Sequence, residues 1–218
     1  SLVLDSHSDR QTFLVSEILH IQTKAIERRL SQSLSSTKIL AQEVRQNRGL
    51  FPDFEEYAQE VIDTVGGISN LQLAPNGVVQ SIHPIEGNEK AIGHDILKDD
   101  SRRKEALLAL SEREMTLAGP FELIQGGVAV IGRNPVFLKD EVTNKEFFWG
   151  FVSALLFLDD LLSVTELNNY EQKGYAYRLS RNHPDTGENI SIATSKNEIG
   201  ANYLEGIIKV PNGEWYLQ

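Results

Sequence analysis

The 218-residue chain contains no cysteine, and that absence removes several kinds of chemistry at once. Without thiols there is no disulfide framework, no cysteine nucleophile and no cysteine-ligated zinc or iron–sulfur site. The compartment stays open, because bacterial periplasmic domains also fold without disulfides. Basic residues are scarce too, since 21 Lys and Arg against 31 Asp and Glu give a net charge of −10. Phosphate neutralisation needs clustered cations, so nucleic acid is not an expected partner.

Long hydrophobic runs are missing as well. The richest run, residues 147–158, is about twelve residues long and includes Ser153, whereas a membrane-spanning helix needs ~18 apolar residues or more. We predict a buried strand there. The first five residues lack both a methionine and the basic start and apolar core of a signal peptide. We therefore expect the chain to be an excised fragment of a longer protein.

Motifs of catalysis and metal binding are also absent from the sequence. The histidines form no HExxH motif and no i, i+4 pair, so a helical metal site is not expected. There is no GxSxG elbow, no phosphate-binding GxxxxGK[ST] loop and no GxGxxG opening a helix. The sequence therefore predicts a domain that is not an enzyme and needs no metal or cofactor. The histidines considered are His7, His20, His83, His94 and His183.

Residues 5–48 contain neither glycine nor proline. Apolar residues recur in steps of three and four from Leu14 to Val44, with a phase slip near residues 25–26, which predicts one long helix ended by Gly49. Two interpretations remain open. The helix could lie along a globular body, or it could be a stalk that also pairs with a second copy of itself.

A second helix is predicted from Asp53 to about Val65. Asp53 is the expected N-cap, and Glu56 three residues later completes a capping-box spacing. Gly66 and Gly67 end this helix.

Residues 68–158 then predict strands and short helices in the order β-β-α-α-β-β-β. This order indicates an α+β sheet unit like that of PAS sensor modules, in which helices and one sheet face enclose a small-molecule site. Helix 101–111 should present Ala106, Leu107 and Leu110 to the core. The predicted strands are 68–73, 78–82, 116–124, 128–137 and 147–158, with broken helix at 88–98.

The remaining sequence predicts a second, smaller antiparallel sheet. A short helix at 159–163 precedes it, and a Pro-Asn-Gly turn at 211–213 repeats the turn at 75–77. The predicted strands are 174–180, 190–194, 207–210 and 214–217.

Asp95 is the residue that most suggests a ligand site. It precedes the apolar pair Ile96-Leu97, so its carboxylate could face inward and accept hydrogen bonds from a ligand. Equally, it could be an N-cap or a surface residue. Residues 116–120 should lie across from it, and a strand bent at Gly119-Pro120 leaves backbone groups free for a polar ligand. His83 and His94 flank this region.

Five segments carry a resemblance to a known family: LAPNGVV (73–79), HPIEGNEKAIGHDIL (83–97), TLAGPFELIQGG (116–127), RNPVF (133–137) and FWGFVS (148–153). In this order they resemble the CHASE domain, the extracytoplasmic sensory domain of bacterial transmembrane receptors and plant cytokinin receptors. The resemblance covers about residues 66–163. It implies a stalk with a capping helix at 1–65, a membrane-distal PAS-like unit at 66–165 and a membrane-proximal one at 166–218.

The resemblance also implies a function. CHASE domains lie between two transmembrane helices, bind small ligands and signal to a histidine kinase, or to diguanylate cyclase and phosphodiesterase domains. By motif, the ligand-binding aspartate falls on Asp95 and the main-chain contact on Leu117, beside Ala118 and Gly119. A later polar contact falls near Gln125 or Gly126.

The plant threonine is absent from that last position, which favours a bacterial metabolite with hydrogen-bond donors over a cytokinin. The resemblance further implies a homodimer through the N-terminal helix, in a protein anchored in the cytoplasmic membrane. The alternative function is a spacer or dimerisation module that binds no ligand.

Overall fold

The computed structural model describes residues 2–123 and 126–218, with their side chains from Ser8 onward. It consists of a long N-terminal helix and two antiparallel sheets, which confirms the predicted α+β class. The helices are α1 (Leu2–Gln46), α2 (Phe54–Val65), α3 (Arg103–Glu112), α4 (Leu158–Leu162) and α5 (Leu167–Gln172). The strands are β1 (Asn70–Pro75), β2 (Ser81–His83), β3 (Thr116–Glu122), β4 (Val128–Lys139), β5 (Glu146–Phe157), β6 (Arg178–Asn182), β7 (Asn189–Thr194), β8 (Gly206–Val210) and β9 (Gly213–Leu217).

Helix α1 ends where the sequence predicts. Arg48 and Gly49 both have positive φ, and the Gly49 N–H donates to the Val44 carbonyl oxygen at 2.8 Å. This hydrogen bond satisfies one of the carbonyls left open at the helix end. A Cβ at Gly49 would lie 2.7 Å from Trp149 Nε1, so close packing also favours glycine here.

Helix α2 begins after Asp53, as predicted, but the predicted capping box is wrong. Within the described part of the chain, the Asp53 side chain makes no capping hydrogen bond. The physical reason is its backbone, which has φ −106° and ψ 35° rather than the extended conformation from which an N-cap oxygen reaches the helix.

The first five strands form one antiparallel sheet in the order β2-β1-β5-β4-β3. Together with α2, α3 and the second part of α1, this sheet forms a compact unit of residues 31–161, here called the large unit. Two 3₁₀ turns, Glu89–Ala91 and Ile96–Lys98, replace the predicted broken helix. The order of strands and helical segments in this unit therefore matches the order predicted for the PAS-like unit.

The two faces of this sheet have different partners. Leu34 of α1 packs against Gly132, and Gln59 of α2 contacts His83, so these helices lie on one face. The other face is covered by the second 3₁₀ turn and α3, through an apolar cluster. We call this second face the inner face. The cluster contains Ala74, Val79, Ile82, Ile96, Ala106, Ala109 and Phe151.

The predicted apolar face of α3 is partly wrong. Ala106 and Ala109 are the buried residues of this helix, whereas Leu107 and Leu108 are substantially exposed. Apolar periodicity favours leucine over alanine as the core residue, but tertiary packing sets the rotation of a short helix. Here α3 presents Ala106 and Ala109 to the sheet, and Leu110 packs partly buried against the same cluster, as predicted.

The second compact unit contains residues up to Leu30 and from Leu162 onward, and we call it the small unit. Its sheet has the order β7-β6-β9-β8, and its core includes Leu179, Ile208, Trp215 and Leu217. The side chain of Gln22 on α1 accepts the backbone N–H of Glu166 at 2.7 Å. Helix α5 was not predicted, since only Leu167 of its six residues is buried and no apolar stripe marks it.

Among the residues described, no helix is both long enough and apolar enough to span a bilayer.

Candidate functional site

Asp95 begins the segment that covers the inner face. It forms a β-bridge with Val78 and precedes the 3₁₀ turn Ile96–Lys98. Its side chain is about one-third exposed, and its Oδ2 lies 3.9 Å from the Nζ of the exposed Lys98. The carboxylate makes no capping bond within the described residues. It therefore remains available to accept hydrogen bonds.

His94 is held by a neighbouring carboxylate. Its Nε2 lies 2.7 Å from Oδ2 of Asp99, and Asp99 also accepts from the Ser101 backbone N–H and hydroxyl. The hydrogen bonds from Ser101, and then those from His94, lower the pKa of Asp99 to about 2. Asp99 is thus ionised at neutral pH and fixes the chain leading into α3.

The structure does not bring His83 together with the other predicted site residues. His83 pairs with Leu71 across β1 and β2, and its Nε2 lies 2.7 Å from Oε1 of Gln59 on α2. Successive residues of a strand point to opposite faces. Ile82 lies on the inner face, so His83 points to the face covered by α2.

The three predicted residues on β3 divide between the faces. Ala118 is opposite Ile131, and Leu117 is opposite Gly132, which contacts α1. A register shift after Ala118 makes a bulge at Gly119, where φ is +101°. The predicted bend in this strand is therefore present. Gly126 lies in the turn before β4, and Gln125 lies outside the described residues.

A row of polar side chains crosses the inner face. Cross-strand pairing places Gln72 opposite Ser153, Ser153 opposite Arg133, and Arg133 opposite Thr116. Residues directly opposite each other in a sheet share a face. All four are buried, with Arg133 only 3% exposed. We call these four residues the polar row.

The polar row contains groups with unused hydrogen-bonding capacity. Within the described chain, Nε and Nη1 of Arg133 and Oγ of Ser153 are buried without a hydrogen-bond partner. Burial and the nearby Arg102 lower the pKa of Arg133 to about 10, so it stays protonated at neutral pH. Most buried polar groups in proteins are satisfied, and each exception needs an explanation.

Apolar residues lie on both sides of the polar row. On one side is the cluster that includes Phe151 and Ile96, and on the other is a cluster of Ala129, Ile131 and Leu155. The guanidinium of Arg102 lies 3.6 Å above the ring of Phe121, which packs against the second cluster. A polar centre between apolar clusters is the usual composition of a small-molecule site.

Comparison with known proteins identifies the family. Residues 41–190, well over half of the chain, match the CHASE domain. The chain belongs to the CHASE domain family. The resemblance read from the sequence is thereby confirmed, and CHASE domains are extracytoplasmic sensory domains.

A solved receptor structure shares the fold of this CHASE domain. An extracellular ligand binding receptor from Desulfohalobium retbaense DSM5692 has a TM-score of 0.70 at 17% identity, covering 94% of this chain and 39% of that one. The chain thus spans about two fifths of that receptor's length. A methyl-accepting chemotaxis protein X aligns at a TM-score of 0.44 and 9% identity, covering 99% of this chain and 96% of that one. None of the curated protein sequences matches the chain.

The polar row of this CHASE domain was missed in the sequence. Arg133 interrupts the apolar strand 128–137, and Ser153 interrupts the apolar run 147–158. Those two interruptions are a usable signal, because a charged residue inside a buried strand needs a partner.

The small unit of this CHASE domain contains an open cleft of about 750 Å³. One face of α1 lines it, with Val15, Leu19 and Gln22 facing Tyr170 and Tyr177. Within the described chain, no aspartate, glutamate, lysine, arginine or histidine lines this cleft. It is separate from the polar row, which lies in the large unit.

Proposed function

We propose that this CHASE domain is a small-ligand sensor of a transmembrane receptor. The ligand binds at the inner face of the large unit, and the signal passes along α1 to a cytoplasmic output domain. That output is a histidine kinase or a diguanylate cyclase and phosphodiesterase module. Flanking transmembrane helices anchor the receptor, so the domain lies in the periplasm.

One observation carries this proposal. Ser153 and Arg133 offer buried donors without partners within the described residues, between two apolar clusters. A spacer gains nothing from such groups, because an unsatisfied buried donor costs about 1–3 kcal/mol. A receptor gains a place where a ligand's acceptors can bind.

The competing function is a spacer or dimerisation module without a ligand. The observation that favours it is a stripe of exposed apolar side chains on α1. Phe13, Leu14 and Ile21 are 63%, 52% and 61% exposed. They lie outside the face of α1 that lines the small-unit cleft. Dimerisation is compatible with sensing, so the two functions differ in ligand binding.

Ligand binding is expected to depend on Asp95. Native mass spectrometry of freshly purified protein should reveal a co-purified small molecule, and that molecule should raise the melting temperature when added back. Asp95→Ala should abolish this rise, because hydrogen bonds to a charged acceptor contribute about 1.5–3 kcal/mol each. The ligand-free variant should stay folded, since the pair with exposed Lys98 contributes only about 0–1 kcal/mol.

Asp100→Ala is the matched control for this measurement, because the Asp100 side chain is 91% exposed and carries the same charge. It should respond to the ligand as the wild type does. Equal stabilisation of Asp95→Ala and wild type would remove Asp95 from the site.

Self-association is expected to depend on the exposed stripe of α1. Sedimentation velocity at increasing concentration should show a weak dimer, which Phe13→Ser combined with Ile21→Ser should abolish. Each buried side chain of this size contributes about 1.5–3 kcal/mol when it is fully removed from water. Leu50→Ser, at a residue that is 70% exposed outside α1, should leave the dimer intact. A wild type that stays monomeric at high concentration would contradict the dimer.

A further inference from the structure

We propose that the ligand of the large unit carries a carboxylate, which binds Arg133 and Ser153 in the polar row. This inference rests on the proposed sensor function and adds the chemical class of the ligand. None of the site residues read from the sequence motifs is an arginine or a lysine. The assignment therefore depends on the two strands β4 and β5 and on their register.

Arg133 is the first argument. Its Nε and Nη1 are both buried and have no hydrogen-bond partner within the described residues. These two nitrogens belong to one planar guanidinium, which matches the two oxygens of a carboxylate. A buried charge is normally paired, and an external anion would complete the pair here.

Ser153 is the second argument. It is opposite Arg133 across β4 and β5, and its buried Oγ also lacks a partner among the described residues. A hydroxyl can donate to an anion beside the guanidinium. Two neighbouring polar groups on one sheet face both lack a partner among the described residues. A single acceptor that both share explains this better than two independent packing defects.

The surroundings favour one negative charge over several. Three charged groups act on Arg133 electrostatically: Arg102 adds positive charge, whereas Glu105 and Asp99 add negative charge. Neither carboxylate hydrogen-bonds Nε or Nη1 within the described chain. Together with Arg133, these formal charges sum to zero, so a phosphate dianion would leave more excess negative charge here than a carboxylate. The apolar clusters on both sides suit an aliphatic or aromatic body attached to that carboxylate.

The site is closed in this structure. Helix α3 and the 3₁₀ turn at Ile96–Lys98 cover the inner face, and the row does not line the open cleft of the small unit. Of α3, Ala106 and Ala109 are buried and Leu110 packs partly buried against the same cluster, which also contains Ile96 of the 3₁₀ turn. Binding therefore requires the cover to move, and a local opening of short elements costs less than global unfolding.

Matched pairs of probes test the charge requirement. Butyrate, benzoate and 4-aminobenzoate are compared with butyramide, benzamide and 4-aminobenzamide by thermal shift of the whole domain, with inorganic phosphate as a further anion. At least one carboxylate should raise the melting temperature while its amide does not. A panel in which no carboxylate exceeds its amide, or in which only phosphate stabilises, overturns the carboxylate assignment.

Variants test the two residues. Arg133→Met should weaken binding of the stabilising carboxylate by about tenfold to 100-fold. It should not lower the melting temperature of the ligand-free protein, because it removes an unpaired buried charge. Ser153→Ala, a smaller change, should weaken binding by a lesser factor. The control Arg103→Met removes an exposed arginine from α3 and should bind as the wild type does.

The outcomes separate this inference from the sensor function. A neutral co-purified ligand that stabilises Arg133→Met as well as the wild type would refute the carboxylate while keeping the sensor. If neither the probes nor any co-purified molecule binds, both proposals fail.

Discussion

Gly150→Ala is expected to lower the free energy of unfolding by about 3 kcal/mol or more. A Cβ at this position would lie 2.3 Å from the carbonyl oxygen of Ala74 and 2.7 Å from Cα of Pro75. Both are backbone atoms of β1, so no side chain can rotate out of the way. Steric overlap and a φ of +158° each cost about 1–3 kcal/mol in a non-glycine residue.

Urea denaturation followed by circular dichroism measures this effect. The control is Gly213→Ala, because a Cβ at Gly213 would have no heavy atom within 4 Å in the described structure. That variant should stay within about 0.5 kcal/mol of the wild type. If the two variants unfold at the same urea concentration, the close approach of β1 and β5 at Gly150 is not as described.

Local sequence signals predicted the elements of this fold well. Glycine and proline are absent from residues 5–48, and α1 runs from Leu2 to Gln46. The Pro-Asn-Gly turns lie where strands reverse, and the α+β order follows from the alternation of strand and helix patterns. These signals succeed because each depends on a few consecutive residues.

The polar row could not be predicted, because it depends on pairing between strands distant in sequence. Gln72, Ser153, Arg133 and Thr116 meet only when β5 lies between β1 and β4, and only in one register. A shift of one residue would turn Arg133 to the other face. Periodicity within a strand cannot specify either the neighbour or the register.

Sequence motifs also fail to predict which face of the sheet a single residue occupies, for the same reason. His83 was grouped with Asp95 by its position in the motif, yet pairing with Leu71 turns it toward α2. The motif residues are adjacent along the chain, whereas the inner face selects alternate residues of each strand. A residue can therefore belong to the family motif without lying on the inner face.

Two adjacent residues of strand β4 lie on opposite faces of the sheet, one on the inner face and the other against α1. Arg133 belongs to the polar row, and the preceding Gly132 lies against Leu34 of α1. Protein interiors are close-packed, so a displacement of β4 at one residue is felt at the next. This contact is a direct physical route by which a ligand at the polar row would act on α1.

Substitutions at this contact should be strongly coupled. Leu34 is 1% exposed, so Leu34→Ala should destabilise the protein by about 2–5 kcal/mol. A Cβ at Gly132 would lie 2.3 Å from Cδ2 of Leu34, so Gly132→Ala should cost about 1–3 kcal/mol. In the double variant the shortened side chain leaves space for the new methyl group.

The double variant should therefore cost less than the sum of the single variants, by about 1 kcal/mol or more in urea unfolding. Leu34→Ala combined with Gly213→Ala is the matched control and should be additive, since Gly213 belongs to the small unit. Additivity of the Leu34 and Gly132 substitutions would mean that α1 and β4 do not share this contact. The route from the polar row to α1 would then have to run through other residues.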